Sequence, residues 1–371
     1  MKELKALIKI ELRSTLLMSI YFLVVNLCGL AACKIAMDKN YVNQLRYGIG
    51  WYIAQPNGEY IYPVLVGTYC FTLGGIILLV YFQFVKDKSL EVGRFLKALP
   101  YTNRQRGFVK IGMGILSYTL PFLILIGGML LLHGSFVGQM QEIYNVFMNQ
   151  EVIERIIHIN ELLKMFLLMY MTFIAVYLFL MLVQYVANNN LGSIIMSILT
   201  LIAPLFIVLS GSEIYSFFRR MHRLRNLIIE FLFVPGYPLT LEGGSFALDR
   251  QNQEQAHFIG YQEINHYGLK VVGLILFIGL CLIFIHLLIK HTKMEDSDKL
   301  FNHGLAKWIF IIGVTVCSGL LLADMGLLFI LPLFMDEYFV MTQVLILIGA
   351  LIGFVIAYKI GRIGSYKREE K

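Results

Sequence analysis

The chain has 371 residues, of which 58% are hydrophobic and 15% charged, with a formal net charge of +7. Soluble domains are about 45–50% apolar and about 25% charged, so this composition excludes an ordinary soluble globular domain. The cations flank oily runs instead of gathering on one basic face, which argues against nucleic acid as a partner.

At the amino terminus Leu4, Leu7 and Ile8 alternate with Lys2, Lys5 and Lys9, a pattern that predicts a short interfacial helix over residues 1–15. Eight apolar runs follow: Leu16–Met37, Tyr60–Val85, Phe108–Leu132, Leu162–Val186, Leu191–Ser210, Tyr267–Ile289, Trp308–Phe334 and Phe339–Ile360. Most reach the roughly 20 residues that cross a bilayer. Lipid offers no water to a bare backbone, and runs without alternation select helices over a barrel. The expected fold is an all-α membrane protein of about eight transmembrane helices. Six occupy residues 16–290, and two more, with a basic tail, occupy 291–371.

All five cysteines, Cys28, Cys33, Cys70, Cys281 and Cys317, lie in or beside these runs without C-x-x-C spacing, so neither a disulfide framework nor a metal site is expected. Leu30-Ala31-Ala32-Cys33 is similar to a lipoprotein cleavage box, but Glu3, Glu11 and the length of the run favour an uncleaved first helix.

Most of the 31 Lys and Arg residues fall at the amino terminus, between 86 and 110, between 290 and 307, and after 359. The cation excess in short loops sets orientation, so both termini are expected in the cytoplasm of a multi-pass membrane protein. Arg219, Arg220, Arg223 and Arg225 oppose that rule, because the same parity puts them outside. They lie on an amphipathic stretch, 213–231, within the largest non-spanning region, 211–266; Pro235, Gly236 and Pro238 end the stretch, and a polar loop is expected after it. Three readings stand for the arginines. They hold a lipid-headgroup phosphate or an anionic substrate; or they lie inside and 226–241 re-enters or crosses; or they rest on headgroups of no particular identity.

The loop after the second run carries the strongest pattern. Asp87 or Ser89 caps a helix start, Val92, Phe95, Leu96 and Leu99 form one stripe with Glu91, Arg94 and Lys97 off it, and Pro100 stops the helix. Thr102 and Gln105 then have the spacing of a capping box for the helix leading into span three. The product is a short basic amphipathic helix, 87–100, pinned between two spans on the cytoplasmic side.

With an amino-terminal interfacial helix before it and a non-spanning segment between spans five and six, this layout resembles the permeases of ABC-2 type ATP-binding-cassette transporters. The resemblance covers about Met1 to Ile289 and rests on layout and on Glu91…Phe95-Leu96…Leu99-Pro100…Arg104. The last two spans depart from the six-span pattern and weaken any transfer of substrate class. The resemblance implies a dimeric export permease, paired with itself or with a sister subunit, whose 87–100 helix couples to a separate cassette ATPase. It implies coupling roles for Glu91, Arg94, Phe95, Leu96, Leu99 and Arg104; the plain alternative is a linker helix wetting the headgroups. The chain has no G-x-x-x-x-G-K-[ST] phosphate loop, so ATP and Mg would sit on the partner chain and this chain holds no cofactor.

Asp324 lies within the seventh run. An acid at membrane depth is a functional candidate, for substrate or headgroup or for an ion-coupled carrier; alternatively span seven ends near Ala323 and Asp324 meets the interface. Asn26 and Gln184 read as hydrogen-bonding groups between helices. No H-E-x-x-H is present, and Glu151, Glu154, His158 and Glu161 read as a solvated helix face before they read as a metal site; no catalytic residue is expected. A non-transporting sensor or immunity protein, binding a peptide or lipid at 213–265, is the remaining alternative.

Overall fold

A helix satisfies its own backbone, so the apolar runs close into helices. The computed structural model describes residues 2–47, 58–85, 87, 102–144, 159–187, 190–214, 231, 233–239, 241–242, 246–248, 256–258, 263–264, 266–291, 304–329 and 338–362. Eight long helices run through them: α1 (Lys2–Tyr47), α2 (Gly58–Val85), α3 (Asn103–Tyr144), α4 (Ile159–Val186), α5 (Asn190–Ile214), α6 (Tyr267–His291), α7 (Gly304–Phe329) and α8 (Tyr338–Arg362). Each contains a stretch long and apolar enough to cross a bilayer. The chain is an all-α membrane protein.

The stretches in α4 and α6, Leu162–Val186 and Tyr267–Ile289, coincide with the expected spans. Elsewhere the ends move. The 1–15 segment is not a separate element: α1 continues unbroken from Lys2 to Tyr47. At about 1.5 Å per residue its 46 residues span roughly 70 Å, well beyond a hydrocarbon core of about 30 Å. The seventh helix is described to Phe329, and residues 330–334 of its expected span lie outside the described residues. In the expected polar loop before α6, β1 (Leu241–Glu242) pairs antiparallel with β4 (Glu263–Ile264), and inside that pair β2 (Phe246–Leu248) pairs with β3 (Ala256–Phe258).

The chain divides into two compact units, the first comprising residues 1–82, 108–177 and 237–278, the second 83–107, 178–236 and 279–371. In the first, one stripe of α1 is buried: Leu7, Glu11, Thr15, Met18, Phe22, Asn26, Gly29, Cys33 and Met37, at spacings of three and four. Its other side exposes Leu16, Leu17, Ile20, Val24 and Leu27, the surface a lipid chain would cover. Glu11 meets Lys110, Phe22 meets Tyr118 and Leu30 meets Gly128, so α1 and α3 run parallel. Contacts between α3 and α4 run in reverse order, Lys110 with Tyr177 and Phe122 with Phe166, which makes that pair antiparallel. The Tyr118 ring stands edge-on to Phe22 at 6.1 Å, to Tyr177 at 6.0 Å and to Phe173 at 6.4 Å, and Phe173 stacks on Tyr69 at 5.2 Å. One aromatic cluster thereby joins α1, α2, α3 and α4, with geometry favoured by the ring quadrupoles.

The second unit holds the α7–α8 hairpin. In lipid, helix association depends on close backbone approach, so small residues gather at the seam. Gly349 and Gly353, four apart on α8, lie against Ser318 of α7, and Gly319 lies against Ala350. Phe206 of α5 packs on Leu320 and Ala323 of α7, as do Leu345 and Ile346 of α8.

Candidate functional site

The coupling candidate sits between the end of α2 and the start of α3. Glu91, Arg94, Phe95, Leu96 and Leu99 lie outside the described residues, but both ends of their segment are described. Asp87, two residues beyond α2, pairs with Arg106 in the first turn of α3 at 2.6 Å, with side chains only 19% and 14% exposed. The capping box forms as its spacing predicts. Thr102 Oγ1 accepts from the Gln105 N–H at 3.2 Å, and Gln105 Oε1 accepts from the Thr102 N–H at 3.1 Å. Two orphan donors of the helix start are thereby satisfied. Arg106 N–H then donates to Thr102 O at 3.1 Å, the first turn of the helix. Arg104 is exposed on that turn.

One residue further on, Gly107 lets α3 close onto α4 and α6: a Cβ there would meet Tyr185 Oη at 3.3 Å and collide with the Ile289 side chain. The ends of four helices therefore converge beside the capped turn, with Phe84 of α2 set edge-on to Tyr185 at 5.3 Å.

In the first unit, the next turn of α3 carries a second cation, Lys110. It faces Glu11 of α1 with 3.7 Å between Nζ and Oε1, and the two side chains are 2% and 7% exposed. Tyr177 Oη donates to Lys110 O at 3.2 Å, which adds α4 to the same joint. Sequence reading counted Glu11 and Lys110 only as members of charged flanks. No local spacing announces the pairing of residues so far apart in the chain, although an acid and a base each embedded at the edge of an apolar run were available as a signal.

Asp324 does not end its helix: α7 continues to Phe329, and Asp324 lies near the close of the apolar stretch. Its Oδ2 accepts from Ser210 Oγ of α5 at 2.5 Å, while its Oδ1 is buried with no hydrogen-bond partner among the described residues. Ser210 went unnoticed in the sequence, because a serine near the end of an apolar run is common. Asn26 departs from expectation. It is buried in α1, yet among the described residues neither its amide nitrogen nor its oxygen has a hydrogen-bond partner. Gln184 is buried on α4.

Arg219, Arg220, Arg223 and Arg225 lie outside the described residues, as do Glu151, Glu154 and His158. No family model matches the chain, and neither a curated protein nor a solved structure matches it either.

Proposed function

We propose that this chain is the membrane-spanning permease subunit of an ATP-binding-cassette exporter in a bacterial plasma membrane. A separate ATPase, which binds ATP and Mg, docks on residues 87–100. The supporting observation is the bracket around that segment: Asp87 and Arg106 tie its two ends together at 2.6 Å, and the Thr102–Gln105 box fixes where α3 starts. A load on a segment held at both ends passes into the ends of α2 and α3. Gly107, packed against Tyr185 and Ile289, relays it to α4 and α6. Cations around 86–110 favour the cytoplasmic side, where ATP is available.

Co-purification tests this reading. The chain is expected to retain a cassette ATPase through affinity capture, and Phe95→Asp with Leu99→Asp is expected to release it while the permease still elutes as a folded species. Capture that yields no ATPase, or an ATPase that stays bound to the double variant, would overturn it. A second reading, an ion-coupled carrier, draws on the Ser210–Asp324 contact inside the spans. Flux that persists without ATP and stops in Asp324→Asn would favour it.

A further inference from the structure

We infer that Asp324 and Ser210 form a binding site for an organic ammonium ion, a cation that carries N–H donors on an apolar body. Three carboxylates lie within the eight apolar stretches: Glu11, Asp38 and Asp324. Glu11 has Lys110 at 3.7 Å and Asp38 has Lys34 at 2.6 Å. Asp324 has no cation among the described residues. Its partner is the neutral Ser210 hydroxyl, and the second carboxylate oxygen is buried without a donor among those residues. An ionised acid at membrane depth is costly unless paired, so among the described residues the arrangement is one positively charged donor short.

The surroundings choose the kind of cation. Hard metal ions take about six or more oxygen ligands, whereas this site offers the two oxygens of Asp324 and the one of Ser210. Beside it in the chain, Leu320 and Ala323 form an apolar cluster on which Phe206, Leu345 and Ile346 pack. A few polar atoms that fix orientation within an apolar wall suit an apolar molecule with a charged head. Ser210 holds Oδ2 and leaves Oδ1 for an incoming N–H, a charge-assisted bond stronger than a neutral one. Asp324 is only partly covered, and both residues lie near the ends of the apolar stretches Gly192–Gly211 and Lys307–Gly326. That depth suits a cationic amphiphile entering from the membrane. The inference rests on the membrane placement of α5 and α7, not on an ATPase partner.

Equilibrium binding to the purified full chain in lipid nanodiscs tests it, with dansylcadaverine as a fluorescent primary ammonium and dansylamide as its neutral counterpart. The ammonium is expected to bind more tightly than the neutral probe. Asp324→Asn is expected to weaken ammonium binding about tenfold or more and leave the neutral probe unchanged; Ser210→Ala weakens it less, and Asp324→Glu retains it. Equal binding of the two probes overturns the inference, as does unchanged ammonium affinity in Asp324→Asn or displacement by millimolar sodium. Should Asp324→Asn elute as aggregate, Ser210→Ala decides, and unaltered affinity there is equally fatal. Binding that appears only after Arg219, Arg220, Arg223 and Arg225 are changed to Gln would mean that the missing cation belongs to the chain itself, and would also overturn it.

Discussion

Replacing Lys110 by Met isolates the charge of Glu11 inside the protein. At 3.7 Å, two unit charges attract by about 4–5 kcal/mol for an effective dielectric constant of about 20. Desolvation of both groups offsets most of that gain in the intact pair, but removing one partner forfeits the attraction and leaves the other charge buried, a loss of about 3–5 kcal/mol. The separation is too long for a hydrogen bond, so the lower end applies: about 3 kcal/mol for Lys110→Met and somewhat less for Glu11→Gln, whose amide still accepts from Ser14 Oγ. The double variant Glu11→Gln with Lys110→Met carries no buried charge and is expected to lose at least about 2 kcal/mol less than the two single losses combined. Reversible unfolding in mixed detergent and SDS measures all four corners of this cycle. Losses that add within about 0.5 kcal/mol would show that the two groups do not interact, and the ion-pair account of the α1–α3 joint would fail.

Asn26→Leu is expected to hold or raise stability, by about 1 kcal/mol, because a buried polar group without partners costs free energy that an apolar side chain does not; a lower unfolding midpoint would show that the amide is bonded. Gly349→Ala is expected to destabilise the α7–α8 hairpin by about 2 kcal/mol, since the new Cβ would lie 2.6 Å from Ser318 O, a backbone atom that cannot swing aside. Gly112→Ala, with open space around its Cβ, should instead stabilise α3 by about 0.5–1 kcal/mol; thermal unfolding of both variants should therefore shift in opposite directions. Thr102→Ala is expected to cost about 1 kcal/mol and to speed hydrogen exchange in the first turn of α3 while the rest of the helix stays protected.

Span positions were legible because hydrophobic length is a property of consecutive residues, and so was the capping box, whose two partners lie three apart. What joins the helices was less legible. The buried stripe of α1 contains Glu11, Thr15 and Asn26, so a search for an oily face would pass over it; in lipid the oily residues face outward and the small or polar ones inward. The Gly349-x-x-x-Gly353 seam follows a known small-residue spacing, but its facing residues, Ser318 and Gly319, are fixed only once the hairpin closes. Asp324 stood out as an acid in an apolar run, whereas its Ser210 partner lies more than a hundred residues away. The Asp87–Arg106 pair was hidden for a related reason: the stretch between them is rich in charges, and only the start of α3 at Asn103 brings them together.

The arginine cluster conflicts with the cation rule only if the 215–266 segment starts and ends outside, and the connections bear on that parity. Between α4 and α5 lie only residues 187–189, too few to recross a bilayer, so α5 starts on the side where α4 ends. A 25-residue α5 then carries the chain to the side where α4 began. Lys164, near the start of α4, lies over the Tyr267 ring at the start of α6, 5.8 Å from its centroid, so α6 begins on that same side. If α4, α5 and α6 each cross once, an even number of crossings is expected between Ile214 and His266. Single cysteines at Gly211 and at His266, in a chain freed of its native thiols, are expected to react alike with an impermeant maleimide, both from outside intact cells or both only after lysis. Opposite accessibility would mean that 215–265 contains an odd crossing, which would place the carboxy-terminal spans in the reverse sense.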